Sequence, residues 1–140
     1  MQHADARGVA IRKTAFGEGT EHFAYQFFEV TGDGRSVVGD ALVAKEPRFV
    51  VGQGELLSSN MKSSARSCRL QGQAQKLAEL FNSKLDAIPK LDPQTARVEF
   101  LACSVYTLKD AKAGISHSVL VEPRLFGKFQ KWNSNNGVSY

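Results

Sequence analysis

The sequence predicts an α+β fold, a mostly antiparallel sheet with one long helix laid against it. Three observations carry this. Several runs of β-branched and aromatic residues alternate between two faces, as half-buried strands do. Two of these runs flank the glycine-bearing loop Thr31 to Arg35, as the arms of a hairpin would. A single stretch, Ser64 to Leu85, instead repeats its apolar residues at helical spacing.

The elements follow in order. Residues 1 to 7 are polar and expected to fray. Gly8 to Phe16 alternates and reads as a strand. Phe16 to His22 is a tight glycine turn, and Phe23 to Val30 is a strand of strong β-formers. In the loop that follows, Gly32 and Gly34 supply positive φ. Ser36 to Lys45 is a third strand, ended by Pro47 and Arg48. Phe49 to Leu57 is an ambiguous strand broken by Gly52 and Gly54, and Ser58 to Lys62 is polar loop. In the helix, Leu70, Ala74, Leu77, Ala78, Phe81 and Leu85 fall within a sector of about 100°. Ser63 or Ser64 is the expected N-cap, and Pro89 and Pro93 forbid continuation. Arg97 to Leu108 reads as a long strand and Lys109 to Ser116 as a loop. His117 to Leu125 and Phe126 to Trp132 are read as the last two strands.

A length of 140 residues and a hydrophobic content of 42% bound this to one domain with a real core. The net charge of +4 comes from scattered basic residues, so it argues only weakly for an anionic partner; a solvated basic surface is the alternative. No run approaches the roughly 18 apolar residues of a membrane span. The N-terminus, MQHADARG, has no signal-peptide core. A cytoplasmic protein without a membrane partner is expected. Cys68 and Cys103 have neither CxxC nor zinc spacing and read as buried thiols rather than a disulfide.

Three places could carry chemistry. In the Phe16-Gly17-Glu18-Gly19 turn, missing side chains let backbone approach a phosphate, though the same pattern also makes a plain hairpin. Lys45 shares a strand face with Val37, Ala41 and Val43, so it must either snorkel to solvent or find an anion. Glu122 precedes Pro123, as at a cleft rim or hinge, or simply as a surface acid beside a kink. Protein kinases pair such a strand lysine with a helix glutamate. Glu79, the only glutamate on the helix, lies almost opposite the apolar stripe and should face solvent.

Together these places resemble the N-terminal part of the alpha-kinase domain, the family of atypical serine/threonine kinases that includes elongation-factor-2 kinase and the myosin heavy chain kinases. The matching segments are Phe16 to Gly19 with Ala24-Tyr25, then Val43-Ala44-Lys45. The helix Leu70 to Asn82 follows, with its closing Phe-Asn pair, and then Val121 to Gly137, VEPRLFGKFQKWNSNNG, the most specific. The resemblance implies a kinase-like N-lobe spanning residues 7 to 140, the ATP-binding lobe plus hinge. It assigns nucleotide binding to Gly17, Gly19, Lys45, Glu122 and Leu125, with Glu122 at the adenine end and Leu125 near the hinge contact. One departure is His22, where the family usually has an arginine that helps with phosphate.

In the family, the catalytic aspartate, the metal ligands for Mg2+, the zinc-binding His/Cys set and a glycine-rich loop all follow the matching segment. No catalytic or metal residue is therefore placed on this chain. The expectation is a domain truncated before its catalytic lobe, inactive alone, whose complete form transfers phosphate from ATP to protein Ser/Thr. A non-enzymatic nucleotide-binding or scaffold remnant is the alternative. A basic RNA-binding module fits less well: the aromatics mix with aliphatics at core spacing, without an RNP-like motif, so no nucleic-acid partner is expected.

Overall fold

The computed structural model describes residues 2–48, 56–110 and 114–131. Its elements are β1 (Gly8–Ile11), β2 (Gly17–Glu18), β3 (His22–Val30), β4 (Val37–Pro47), α1 (Leu56–Asp86), β5 (Ser104–Asp110) and β6 (Ile115–Pro123). The strands form one sheet in the order β1-β3-β4-β6-β5, with β2 also paired to β3. Every pairing is antiparallel. The predicted α+β architecture is therefore present, with one long helix among the described residues.

Strand alternation sorts the sheet into two faces. One face buries Phe27, Leu42, Ala44, Tyr106, Val119 and Val121 as a single cluster. Phe27 meets Tyr106 edge to face, with ring centroids 5.0 Å apart. Gly39 sits in an irregular stretch where Phe27 pairs with Leu42 but Glu29 pairs with Val38. Its φ of 71° is the left-handed geometry of a bulge, which glycine adopts without strain.

The N-terminal arm, expected to fray, is docked on this face. Glu29, only 2% exposed, accepts hydrogen bonds from the Gln2 and His3 amides at 2.6 and 2.8 Å and from the Tyr106 hydroxyl at 2.7 Å. A buried carboxylate requires such donors, and the arm supplies two of them. Ala6 is buried, and the Arg7 amide bonds to the Val30 carbonyl at 2.9 Å.

Four other expectations change. Residues 12–15 are not strand, and Gly17 and Glu18 pair with β3 instead of forming a turn tip. In the hairpin loop, Gly34 takes positive φ and Gly32 does not. The helix begins at Leu56, so the expected loop 58–62 is helical and Ser64 is buried inside it rather than capping it. Serines are only mildly unfavourable in a helix interior and do not end one. Residues 97–103 are not strand, and neither are 124–131. Most of the ambiguous strand 49–57, along with Trp132 and the polar cluster after it, lies outside the described residues.

The segment 97–103 lacks a strand partner because α1 side chains take that place. Asn82 bonds both ways with Val98, its Nδ2 donating to the carbonyl at 2.7 Å and its Oδ1 accepting from the amide at 3.0 Å. Gln75 Oε1 accepts from the Phe100 amide at 2.7 Å, and Gln71 Nε2 donates to the Leu101 carbonyl at 2.7 Å. Ser64, Cys68, Gln71, Gln75, Ala78 and Asn82 make up the half-buried and buried seam of the helix. Their spacing, alternately four and three, keeps them on one face. The apolar stripe read from sequence buries Ala78 but leaves Leu70, Leu77 and Phe81 at least half exposed.

The Glu29 clip gives a testable expectation. Burial pushes the Glu29 carboxyl upward, but the bonds from Tyr106, Gln2 and His3 outweigh it, so its pKa lies below the ordinary value. A lowered folded-state pKa contributes stability that is present above the unfolded pKa and is lost as pH falls through the folded one. Glu29→Ala should cost about 2–4 kcal/mol at pH 7. Urea unfolding should show that gap shrinking below about pH 4.3, the unfolded glutamate value. A gap that stays constant with pH would contradict the clip.

Candidate functional site

The second face of the sheet carries Lys45 and Glu122. The strand registers align Gly17, Ala24, Lys45, Leu120 and Val105 as one row across five strands. The adjoining row holds Gln26, Val43 and Glu122. Lys45 and Glu122 are thus diagonal neighbours on adjacent strands, within reach of a long side chain. Lys45 Nζ lies 2.6 Å from Glu122 Oε2, with the two side chains 38% and 6% exposed. Glu122 Oε1 also accepts from Gln71 Nε2 at 3.0 Å. The lysine's charge is therefore neutralised from below while its outer side remains open.

The helix glutamate behaves as the sequence indicates: Glu79 is exposed and accepts from Gln75 at 3.0 Å, on its own helix. The partner of Lys45 comes from β6 instead. Gly17 stands two places from Lys45 in the same row, and a Cβ built there would meet the Ala24 methyl at 3.5 Å, an ordinary contact. Neither Gly17 nor Gly19 has positive φ. The absent side chain at Gly17 therefore leaves surface open rather than relieving strain. At Gly19 the amide is already committed, donating to the His22 carbonyl at 2.8 Å.

His22 alternates onto the Lys45 face of β3. Burial pushes its imidazole below the ordinary value; Glu21 opposes this and Lys45 adds to it. The ring is neutral at pH 7 and brings no fixed charge. Leu125 lies beyond β6 and is 72% exposed.

Three residues that hold this site together were not singled out from sequence. Gln71 bridges Glu122 to the Leu101 carbonyl. Arg48 pins the glycine segment to the end of β4: it pairs with Glu18 at 2.6 Å, donates to the Gly19 carbonyl at 3.0 Å and lies 5.3 Å from the Phe23 ring centroid. Arg124 lies 5.4 Å from the Phe16 ring centroid and 5.3 Å from that of Phe126, tying the chain after β6 to the residue before Gly17. The available signal was position: Arg48 closes a strand opposite a glycine turn, and Arg124 has an aromatic two residues on.

An antiparallel sheet with a lysine on its open face and one helix against the β6–β5 side defines a kinase-type small lobe. The alpha-kinase family model matches residues 17–139, and the chain belongs to that family. Solved alpha-kinase domains of myosin heavy chain kinase A share the fold. One in complex with AMP aligns at a TM-score of 0.61 with 19% identity, covering 94% of this chain and 60% of its own. An inactive form in complex with ATP aligns at 0.63 with 18% identity, covering 94% and 59%. A complex with adenosine aligns at 0.60 with 19% identity, covering 94% and 57%. The chain thus spans about 60% of the length of these domains. No curated protein sequence matches it.

Removing Lys45 should leave the Glu122 carboxylate buried with only an amide beside it. Lys45→Met should destabilise the fold by about 1–3 kcal/mol, less than a fully buried pair because Lys45 is partly solvated. Adding Glu122→Gln should restore most of that loss. Urea unfolding of both single variants and the double variant checks this, and additive losses would show that the two side chains are not coupled.

Proposed function

We propose that this chain is the ATP-binding portion of an alpha-type serine/threonine protein kinase, residues 7–140 forming the ATP-binding lobe and hinge. The observation that carries this reading is Lys45: two places along the same row from an open glycine position, oriented by Glu122, and part-exposed on its outer side. In this reading the Lys45 ammonium binds ATP phosphate oxygens as a point charge. Gly17 and Gly19 admit the phosphates closely because they have no side chains. Glu122 holds Lys45 in place, while its backbone and Leu125 run along the adenine side. In the complete domain, phosphoryl transfer goes to protein Ser/Thr.

Among the described residues no group of three His, Cys, Asp or Glu could hold a metal, so no step is assigned to a metal on this chain. No helix among the described residues is long and apolar enough to cross a membrane. The neutral His22 favours a second reading, a nucleotide-binding or scaffold module without transfer activity.

Calorimetry with ATP tests the assignment. Lys45→Ala should weaken binding about tenfold or more, as loss of a charge-assisted contact does. Equal affinity in the variant would remove Lys45 from the site. The purified 140-residue chain, given labelled ATP, Mg2+ and a protein acceptor, should transfer no phosphate; measurable transfer would overturn the inactive-alone reading.

A further inference from the structure

α1 brings a second reactive group to the same end of the sheet. Cys68, three residues before Gln71, places its sulfur 2.7 Å from that of Cys103, which precedes β5 by one residue. Both thiols are free and half-buried. The two residues are 35 positions apart in the chain, so the contact comes from helix docking and not from local sequence. Both line a cavity of about 430 Å³ with Gln71, Gln75 and Glu99, which gives a small solute access.

We propose that Cys68 and Cys103 are a reversible oxidation site, forming an intramolecular disulfide that staples α1 to the entry of β5. The thiols need to close only ~0.7 Å to reach the roughly 2.05 Å of an S–S bond. Such pairs in intracellular proteins act as redox sensors rather than permanent staples. The oxidant class is a peroxide. The Cys68 sulfur attacks one peroxide oxygen and the O–O bond breaks. Cys68 becomes a sulfenic acid, and the leaving oxygen departs as water. The Cys103 sulfur then attacks Cys68, the S–O bond breaks, and the hydroxide leaves as a second water with the Cys103 proton. In sum, two thiols are oxidised to one disulfide and hydrogen peroxide is reduced to two waters.

The two sulfurs have different surroundings. Burial, with Cys68 and the Glu122 charge adding to it, pushes the Cys103 thiol up to about 12. Cys103 is therefore the poorer first nucleophile, and the proposal gives the first attack to Cys68. The staple fixes the helical turn that carries Gln71 against β6, where Gln71 meets Glu122. The covalent step does not depend on ATP binding; only its effect on the nucleotide face rests on the proposed function.

The test uses the full chain, reduced and then treated with hydrogen peroxide. Peptide mass spectrometry should find Cys68 linked to Cys103 with the loss of two hydrogens, and dithiothreitol should reverse it. The melting temperature should rise by about 10 °C, because the closed loop restricts the unfolded chain. Cys68→Ser and Cys103→Ser should each show neither the cross-link nor the rise. Sulfinic acid on one cysteine, disulfides between chains, or an unchanged melting temperature would each overturn the proposal. None of these readouts involves ATP, so failure of the nucleotide reading would appear separately, in the calorimetry.

Discussion

Glu122 is a nearly buried carboxylate, and a buried charge persists only where partners satisfy it. Its two oxygens have separate partners. One meets Lys45 from β4 and the other meets Gln71 from α1. One side chain thereby sets the relation of two central strands and the helix. Because Val43 pairs with Glu122 and Lys45 with Leu120, the lysine and its acid are spaced by the sheet ladder. In kinases where a helix glutamate supplies the pair, helix position controls it. Here the helix contributes only an amide, so the ion pair persists on the sheet alone and the helix adjusts it.

The polar seam of α1 follows from what it faces. Residues 98–101 present backbone groups that are not paired in the sheet, and the facing helix offers them side-chain partners. Gln71, Gln75 and Asn82 provide donors and acceptors at the right rise along the helix. An apolar seam would have left those amides and carbonyls to water. The larger apolar residues of α1 consequently face outward, where Leu77, Phe81, Val98 and Phe100 border a shallow groove.

The strands of the sheet and the existence of one long helix were legible because period-two and period-3.6 patterns survive in β3, β4 and α1. The lysine, its face and the outward Glu79 were legible for the same reason. The docked side of the helix was legible only in part: Ala74, Ala78 and Leu85 of the apolar stripe are buried or half-buried, but Ser64, Cys68, Gln71, Gln75 and Asn82 share that side and give no apolar signal. The segment 97–103 alternates like a strand, and nothing local reveals that helix side chains replace its neighbour. Glu29 carried no sign of its donors, two of which come from an arm 26 and 27 residues away. The role of Glu122 as the lysine's partner depends on β4 and β6 being adjacent, a fact of topology rather than of spacing.

The two faces of the sheet differ in what they can admit. On one, the side chains around Phe27 and Tyr106 are buried, and Glu29, bonded to Tyr106, holds the N-terminal arm there. On the other, Lys45 is exposed beside small residues at positions 17 and 24. The cations around it are not equally available: Arg48 is engaged by Glu18 and the Gly19 carbonyl, and burial keeps His22 neutral. A phosphate arriving at this face would compete with Glu122 for the same ammonium group. The gain is then the difference between two charge-assisted contacts, not the full strength of one. Under the proposed reading, the substitution of a neutral imidazole for an arginine weakens the site through the loss of a second, uncommitted charge.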